Sequence, residues 1–494
     1  MTTLKGRVSR GLFWEGGASL IGQGMGFLVT LLLARLLTSE YFGLIAIATL
    51  AIQSLVFLQE LGFSAALVHR QHEVEAASNT AHWTIIISSA LLYGIAFVAA
   101  PLVARFFHSP EVTAVLRVLA LTMVINSLSR VPLTLLTKSL DFRKKVLPEV
   151  VAAFIGNLTA LALAWAGWRV WALVMGELVT ASFTTILAYT VSTWRPRWQF
   201  SRTYFNQLFG YGKHVTLSQI LIFGITNIDD MFVGRMAGQA ALGQYGMAYK
   251  ISNTPATNIT RLVNRVTFPA FSILQADRER MHNAFFRQIR VVSVLALPIG
   301  VATVLFAHDF VTAVMNESWI PAILPMQILA VYGVIRSIAA NMGVIFQAGG
   351  KPEWLSRIAI WRLLTMAALL YPVTRWGGIV GVSWLSTGVA VVDFFISAYL
   401  VDRILSARMA TYGKIVAPLF LCAALAGGLG YAVNRGLLAA GVWDAAALLA
   451  GGAVMSLVYA ALVWRFDAHL RAELAQPLAS LRMRIRQMRP ASRS

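Results

Sequence analysis

Long apolar runs alternate with short polar breaks along the whole chain, and few stretches mix the two evenly. The runs reach about 20 residues or more, the length at which an α-helix crosses a hydrocarbon core. Fourteen stand out, near 12–34, 43–67, 82–104, 111–135, 146–166, 170–190, 214–234, 242–268, 286–307, 319–345, 355–373, 377–400, 415–434 and 442–464. The second, fourth, eighth and tenth contain charges. This pattern predicts an all-α polytopic membrane protein with about 14 transmembrane helices. An even number of crossings puts both termini on one side.

Composition supports this reading. The 494 residues are 58% hydrophobic and only 13% charged, with a mean hydropathy of +0.69, whereas soluble domains carry roughly 25% charged residues. The net charge of +20 raises the question of nucleic acid, but the location of the bases answers it. Of 41 lysines and arginines, 28 fall on one side, in alternate polar breaks, the span ends beside them and the tail, against 6 in the intervening breaks (Arg35, Arg105, Arg169, Arg235, Arg375 and Arg435). Such asymmetry places both termini in the cytoplasm. It calls for no nucleic-acid partner.

Several classes of chemistry are excluded. Cys422 is the one cysteine, so neither an internal disulfide nor a multi-cysteine metal site is available. There is no Walker A sequence and no histidine cluster with metal spacing, so no cofactor is expected. The outer breaks are short, leaving no room for the domain a glycan polymerase or ligase acting outside would need. The chain reads as no enzyme. The longest inner connections, 191–213 and 269–285, mix aromatics with bases and read as interfacial amphipathic segments on the lipid bilayer. The tail at 465–494 is rich in arginine and suits anionic lipid.

An internal repeat ties the two halves together. Ala34-Arg35-Leu36-Leu37-Thr38-Ser39-Glu40-Tyr41-Phe42-Gly43 aligns with Gly234-Arg235-Met236-Ala237-Gly238-Gln239-Ala240-Ala241-Leu242-Gly243 at an offset of 200 without a gap. Six predicted spans separate the copies, so both run the same way. Parallel repeats of this kind are a transporter architecture. The expected organisation is an N-terminal six-helix lobe with its linker (1–212), a second six-helix lobe (213–410), two appended helices (411–464) and a basic cytoplasmic tail (465–494).

Charges inside apolar spans are costly and mark pairs or watery cavities. On the eighth span, Lys250 and Arg261 lie eleven residues apart, about three helical turns, with Thr254, Thr257 and Asn258 between them and Arg265 one turn on. This stripe suits a cavity wall. The bland alternative pairs Lys250 with Asp229 or Asp230 and lets Arg261 and Arg265 reach the headgroups. By depth, Arg117 and Glu177 form a structural pair, and Asp393 neutralises one of Arg336 and Arg362, leaving a cation over. Glu60 falls opposite Thr260 under the repeat, beside Arg261, and a Glu60–Arg261 contact is an expected inward gate.

Four segments resemble the Wzx-type polysaccharide exporters: Ala34 to Leu44, Glu60-Leu61-Gly62-Phe63-Ser64-Ala65-Ala66-Leu67-Val68, Asn227 to Arg235 with Leu242-Gly243-Gln244-Tyr245, and Phe268-Pro269-Ala270-Phe271-Ser272. The resemblance implies the multidrug/oligosaccharidyl-lipid/polysaccharide superfamily, whose two lobes form a V around a central cavity. It implies transfer of an undecaprenyl-diphosphate-linked oligosaccharide across a bacterial inner membrane, with polymerase and chain-length or export proteins as partners. The implied cavity is cationic, and Lys250, Arg261, Arg265, Arg336 and Arg362 are its candidates by position, joined by Thr254 and Asn258 for the glycan. Asp229, Asp230, Glu60 and Asp393 are the candidate coupling or gating groups for H⁺ or Na⁺. Where the family has a single Asp, this chain has two, Asp229 and Asp230. A lipid II flippase is a rival, lowered by the lack of first-span arginines. A multidrug exporter is another, and it calls for an acidic cavity.

Overall fold

The computed structural model describes residues 17, 22–254, 271, 277–406 and 408–466. Over these residues each of the fourteen predicted spans coincides with helix, and no strand occurs. We label the helices α1 (Gly22–Leu36), α2 (Ser39–Glu60), α3 (Phe63–His69), α4 (Val74–Phe106), α5 (Val112–Leu119), α6 (Leu121–Lys138), α7 (Phe142–Trp165) and α8 (Val170–Val191). Then follow α9 (Arg202–Met236), α10 (Gln239–Thr254), α11 (Arg278–Val314), α12 (Ile323–Ala339), α13 (Met342–Ala348), α14 (Glu353–Leu405), α15 (Met409–Ala439) and α16 (Asp444–Phe466). Among the described residues ten helical segments are long and apolar enough to cross a membrane. One of them, α14, joins two spans across a break at Gly378.

Several helices outrun their apolar cores. The starts of α4, α9 and α11 precede the predicted spans because hydropathy marks the bilayer, whereas a helix continues until its backbone is stopped. Within the connection at 191–213, the part from Arg202 onward is therefore the first turns of α9. Only 192–201 is irregular; Pro196 keeps its neighbour extended, and the segment docks on α4. Arg197 N donates to Asn79 Oδ1 at 3.0 Å, Ser201 N to Thr80 Oγ1 at 3.2 Å, and Trp83 Nε1 to Arg197 O at 2.9 Å.

The described chain divides into two compact units that gather distant segments. The first comprises Met1–Lys250, Val314–Pro325 and Ser356–Val389, and the second Ile251–Ala313, Met326–Leu355 and Ala390–Ser494. Small residues set the helix seams in each. In the first unit a Cβ at Gly156 of α7 would lie 2.6 Å from Gly176 O of α8, and in the second a Cβ at Gly430 of α15 would lie 2.5 Å from Gly451 O of α16. Such approaches let lipid-embedded helices pack by van der Waals contact.

The repeat recurs in backbone conformation. Arg169, between the fifth and sixth spans, has φ 51° and ψ −130°, and Gly378, between the eleventh and twelfth, has φ 53° and ψ −141°. A side chain rarely tolerates that region, so its use twice at matching turns is a signature of common architecture. A second sequence echo accompanies it: Phe106-Phe107-His108 with Val112-Thr113-Ala114-Val115 parallels Phe306-Ala307-His308 with Val311-Thr312-Ala313-Val314.

Where the repeat motifs meet, they interlock. The first turns of α2 and α10 cross so closely that a Cβ at Gly43 would lie 1.7 Å from Gln239 O, and one at Gly243 would lie 2.0 Å from Ser39 O. The contact is reciprocal, because Gln239 and Ser39 are themselves related by the offset of 200. Flanking loops close over it. Asn316 Nδ2 donates to Ala34 O at 2.9 Å and Leu37 O at 2.8 Å, and Trp319 Nε1 to Ala34 O at 2.8 Å. Arg235 Nη1 meets His108 Nε2 at 2.7 Å, and Gln239 Nε2 donates to Glu40 Oε1 at 2.6 Å. Exposed carbonyls at the end of α1 thereby find donors.

Candidate substrate cavity

Six helices of the first unit surround a cavity of about 600 Å³. Each contributes one stripe at helical spacing: Thr30 and Leu33 from α1; Phe42, Ile45, Ala46, Thr49, Leu50 and Gln53 from α2; Gly156, Asn157 and Ala160 from α7. Leu173, Gly176, Glu177 and Thr180 come from α8, Asn227 and Asp230 from α9, and Leu242, Gly243, Gly246, Met247 and Lys250 from α10. Gly156 and Gly176 of the α7–α8 approach and Gly243 of the α2–α10 approach thus also line this space.

The polar lining has both signs of charge. Lys250 Nζ donates to Thr30 Oγ1 at 3.1 Å, and that hydroxyl donates in turn to Gly26 O at 2.7 Å. Glu177 lies within electrostatic reach of the ammonium. Asn227 Nδ2 donates back into its own helix to Phe223 O at 2.9 Å, which leaves its carbonyl oxygen as the group to offer. Three hydroxyls (Thr30, Thr49, Thr180) and three amides (Gln53, Asn157, Asn227) face the space; Thr30, Thr180 and Asn227 spend their protons within their own helices and offer acceptor oxygens to a polyhydroxylated molecule. Among the described lining residues the ionisable side chains are Glu177, Asp230 and Lys250, so of the cations expected in the cavity Lys250 is the one on this wall.

The adjacent acids are sent to different places. Successive residues on a helix are about 100° apart, and Asp230 lines the cavity while Asp229 turns into the packing. Asp229 Oδ2 accepts from the fully buried Tyr245 hydroxyl at 2.7 Å, and the Tyr245 oxygen lies 3.5 Å from Ser386 Oγ of α14. Tyr245 therefore joins α9, α10 and α14 behind the cavity wall.

Among the described residues, the remaining candidates do not line this cavity. Glu60 Oε1 lies 2.9 Å from Arg130 Nε, an ion pair within the first unit; its expected partner Arg261 lies outside the described residues, as do Arg265, Thr257 and Asn258. Arg336 on α12 contacts the Tyr332 hydroxyl and ring. Thr254, Arg336 and the buried Asp393 belong to the second unit, and Arg362, half-buried on α14, to the first. The Arg117–Glu177 pairing is corrected. Arg117 Nε donates to Phe97 O at 3.1 Å and its guanidinium covers the Phe97 ring, while Glu177 faces the cavity. Depth along a span gave no azimuth, and azimuth decides partners. The missed signal was the stripe Leu173, Gly176, Glu177, Thr180, which puts the acid beside small and hydroxyl residues.

Comparison with known proteins bears on this arrangement. Residues 32–324 match the sequence family described as "Polysaccharide biosynthesis protein". The teichuronic acid biosynthesis protein TuaB of Bacillus subtilis is 25% identical over 382 residues, 76% of this chain and 78% of that one. The lipopolysaccharide biosynthesis protein WzxC of Escherichia coli is 22% identical over 403 residues, 81% of this chain and 82% of that one. Among solved structures, the lipid II flippase MurJ in an inward closed conformation superposes with a TM-score of 0.68 at 12% identity, covering 91% of this chain and 98% of that one. That likeness is one of fold.

Proposed function

Because the chain belongs to the polysaccharide biosynthesis protein family, we propose that it is a flippase for lipid-linked oligosaccharides. It carries an undecaprenyl-diphosphate-linked repeat unit from the cytoplasmic to the periplasmic leaflet of a bacterial inner membrane. The observation that carries this reading is the cavity inside the first unit, whose hydroxyls and amides match a glycan and whose walls include α2, α7 and α8, each long and apolar enough to cross a membrane. Bound sugar hydroxyls exchange hydrogen bonds with water for equivalent bonds to Thr30, Gln53, Asn157, Thr180 and Asn227, so entry costs little polar desolvation. The diphosphate calls for fixed cations, a role proposed for Lys250, Arg261, Arg265, Arg336 and Arg362, with Lys250 shared with Glu177.

Transport runs by alternating access of the lobes at 1–212 and 213–410, with no covalent step and both termini cytoplasmic. H⁺, Na⁺ or the membrane potential drives it, with Asp229, Asp230, Glu60 and Asp393 as the candidate titrating groups. A polymerase and chain-length or export proteins consume the product. The test is deletion of the gene in its host. Loss of surface or secreted polysaccharide, with undecaprenyl-linked repeat units accumulating inside, is expected. Intact polysaccharide with altered drug sensitivity would instead make the chain a drug exporter and end this reading.

A further inference from the structure

A second hollow in the first unit, a groove of about 570 Å³, is built from different chemistry. It is bounded by α2, α4, α5 and α9, and Ser54 is the one polar side chain in its lining. That hydroxyl donates to Ala51 O at 2.7 Å within its own helix, so nothing in the wall solicits a headgroup or a sugar. Its lining combines small side chains (Ala51, Ala96, Ala99), which leave room between larger neighbours, with aromatic ones (Phe106, Phe107, Phe223).

The groove and the polar cavity share one wall. On α2, Thr49 and Gln53 face the cavity, Ala51, Ser54 and Leu55 face the groove, and Leu50 lines both. At about 100° per residue the two faces are neighbours on one helix, with Leu50 at their border. A molecule whose polar and apolar parts are covalently joined is the ligand class that fits such a pair. We propose that the apolar groove holds the polyprenyl chain of the lipid-linked oligosaccharide while its glycan occupies the polar cavity. The inference rests on the transport reading above. Methyl branches along a polyprenyl chain fit the room beside the alanines, and its double bonds lie against the phenylalanine faces. Holding the chain beside α2 keeps the tail in register with its head as the head crosses.

The test places a photoreactive benzoylphenylalanine at Leu102, in the groove, or at Leu91, on the same helix outside it. The two positions are 64% and 61% exposed, so bulk lipid should meet them equally. The full-length protein is reconstituted in phospholipid vesicles with a small mole fraction of undecaprenyl-diphosphate-linked oligosaccharide, and crosslinked lipids are identified by mass. Enrichment of the polyprenyl adduct at Leu102 by about tenfold over Leu91 is expected, equivalent to ~1.4 kcal/mol of preference over bulk lipid. Ala99→Trp should remove that enrichment. Equal adducts at both positions, in proportion to bulk composition, would show an ordinary acyl-chain surface and overturn the proposal. Flipping is scored in the same vesicles: flipping without enrichment sinks the groove alone, and enrichment without flipping sinks the transport reading instead.

Discussion

The two ends of α2 are each held by a glycine crossing, but the crossings differ in kind. At the first, Gly43 meets Gly243, both in unbroken helices with ordinary dihedrals, and the only bonds are those of flanking side chains and loops. At the second, the chain leaves α2 through Leu61 and Gly62 at φ 48° and 68°, and a Cβ at Gly212 of α9 would lie 1.9 Å from Leu61 O. Two helices touching side by side can separate without changing any φ or ψ. A turn through two left-handed residues resists bending within itself, and Gly212 packs directly against it. The cavity lies between, so the first crossing has the properties of a gate and the second those of a pivot.

The largest effect should come from breaking that contrast directly. Gly43→Leu or Gly243→Leu forces side-chain atoms onto backbone that no rotamer change can clear, at a cost of about 1–3 kcal/mol to the crossed state. Separated helices do not bear that cost, so the equilibrium shifts by roughly one to two powers of ten toward them. Export should stop. With Cys422→Ser and a reporter at Thr49→Cys, an impermeant maleimide added on the side proposed to face the periplasm should label faster than in the parent. Gly212→Leu should instead lower folded yield and thermal stability, leaving labelling of the surviving protein unchanged. If both glycine sites gave the same labelling change, the distinction between gate and pivot would be wrong.

Next in size are changes to the charges between the two crossings. Glu177→Gln or Lys250→Gln removes one member of the electrostatic pair facing the cavity, and each should reduce export by about tenfold or more, ~1.4 kcal/mol of lost binding. The exchange Glu177→Lys with Lys250→Glu keeps both charges and should recover most of that loss, measured as polysaccharide per cell at matched protein level. Failure of the exchange would mean that Lys250 acts alone on an anionic group of the substrate. A smaller effect is expected behind the wall. Tyr245→Phe removes a hydrogen bond to the carboxylate of Asp229, a loss of about 1.5–3 kcal/mol in stability, read by thermal unfolding in detergent. Ser386→Ala should cost less, because its 3.5 Å contact is the longer one.

Much of this was legible in the chain. Period and length of the apolar runs gave the helices, because in lipid the backbone has no partner but itself. The segment Leu242-Gly243-Gln244-Tyr245 stood out before its uses were visible: Gly243 makes the crossing, Gln244 Nε2 reaches Ser318 O at 2.9 Å, and Tyr245 binds Asp229. Glu60-Leu61-Gly62-Phe63 likewise proved to be the turn that ends α2. What the chain did not reveal was azimuth. Asp229 and Asp230 looked equivalent in sequence, and only the rotation of α9 separates a packed acid from a cavity acid. Glu177 was assigned to Arg117 on depth alone, although its helical stripe named its true surroundings.

The smallest expected effect returns to the first crossing and asks what holds it. Beside the glycines runs a polar edge: Ser39 N donates to Ser318 Oγ at 3.0 Å, and Ser39 Oγ to Ser318 O at 3.1 Å. Across the crossing Ser318→Ala deletes the first of these bonds and leaves the second, since a backbone carbonyl survives the change; within its own loop it also removes the bond from Ser318 Oγ to Asn316 Oδ1. One ordinary hydrogen bond is worth about 0.5–1.5 kcal/mol net, so periplasmic labelling at Thr49→Cys should rise by roughly severalfold. The direction should match Gly43→Leu and the size should fall well short of it. A rise as large as the glycine variant's would mean that the polar edge, not the steric fit of Gly43 to Gly243, keeps the two helices together. The glycines would then serve only to let the hydroxyls come within reach.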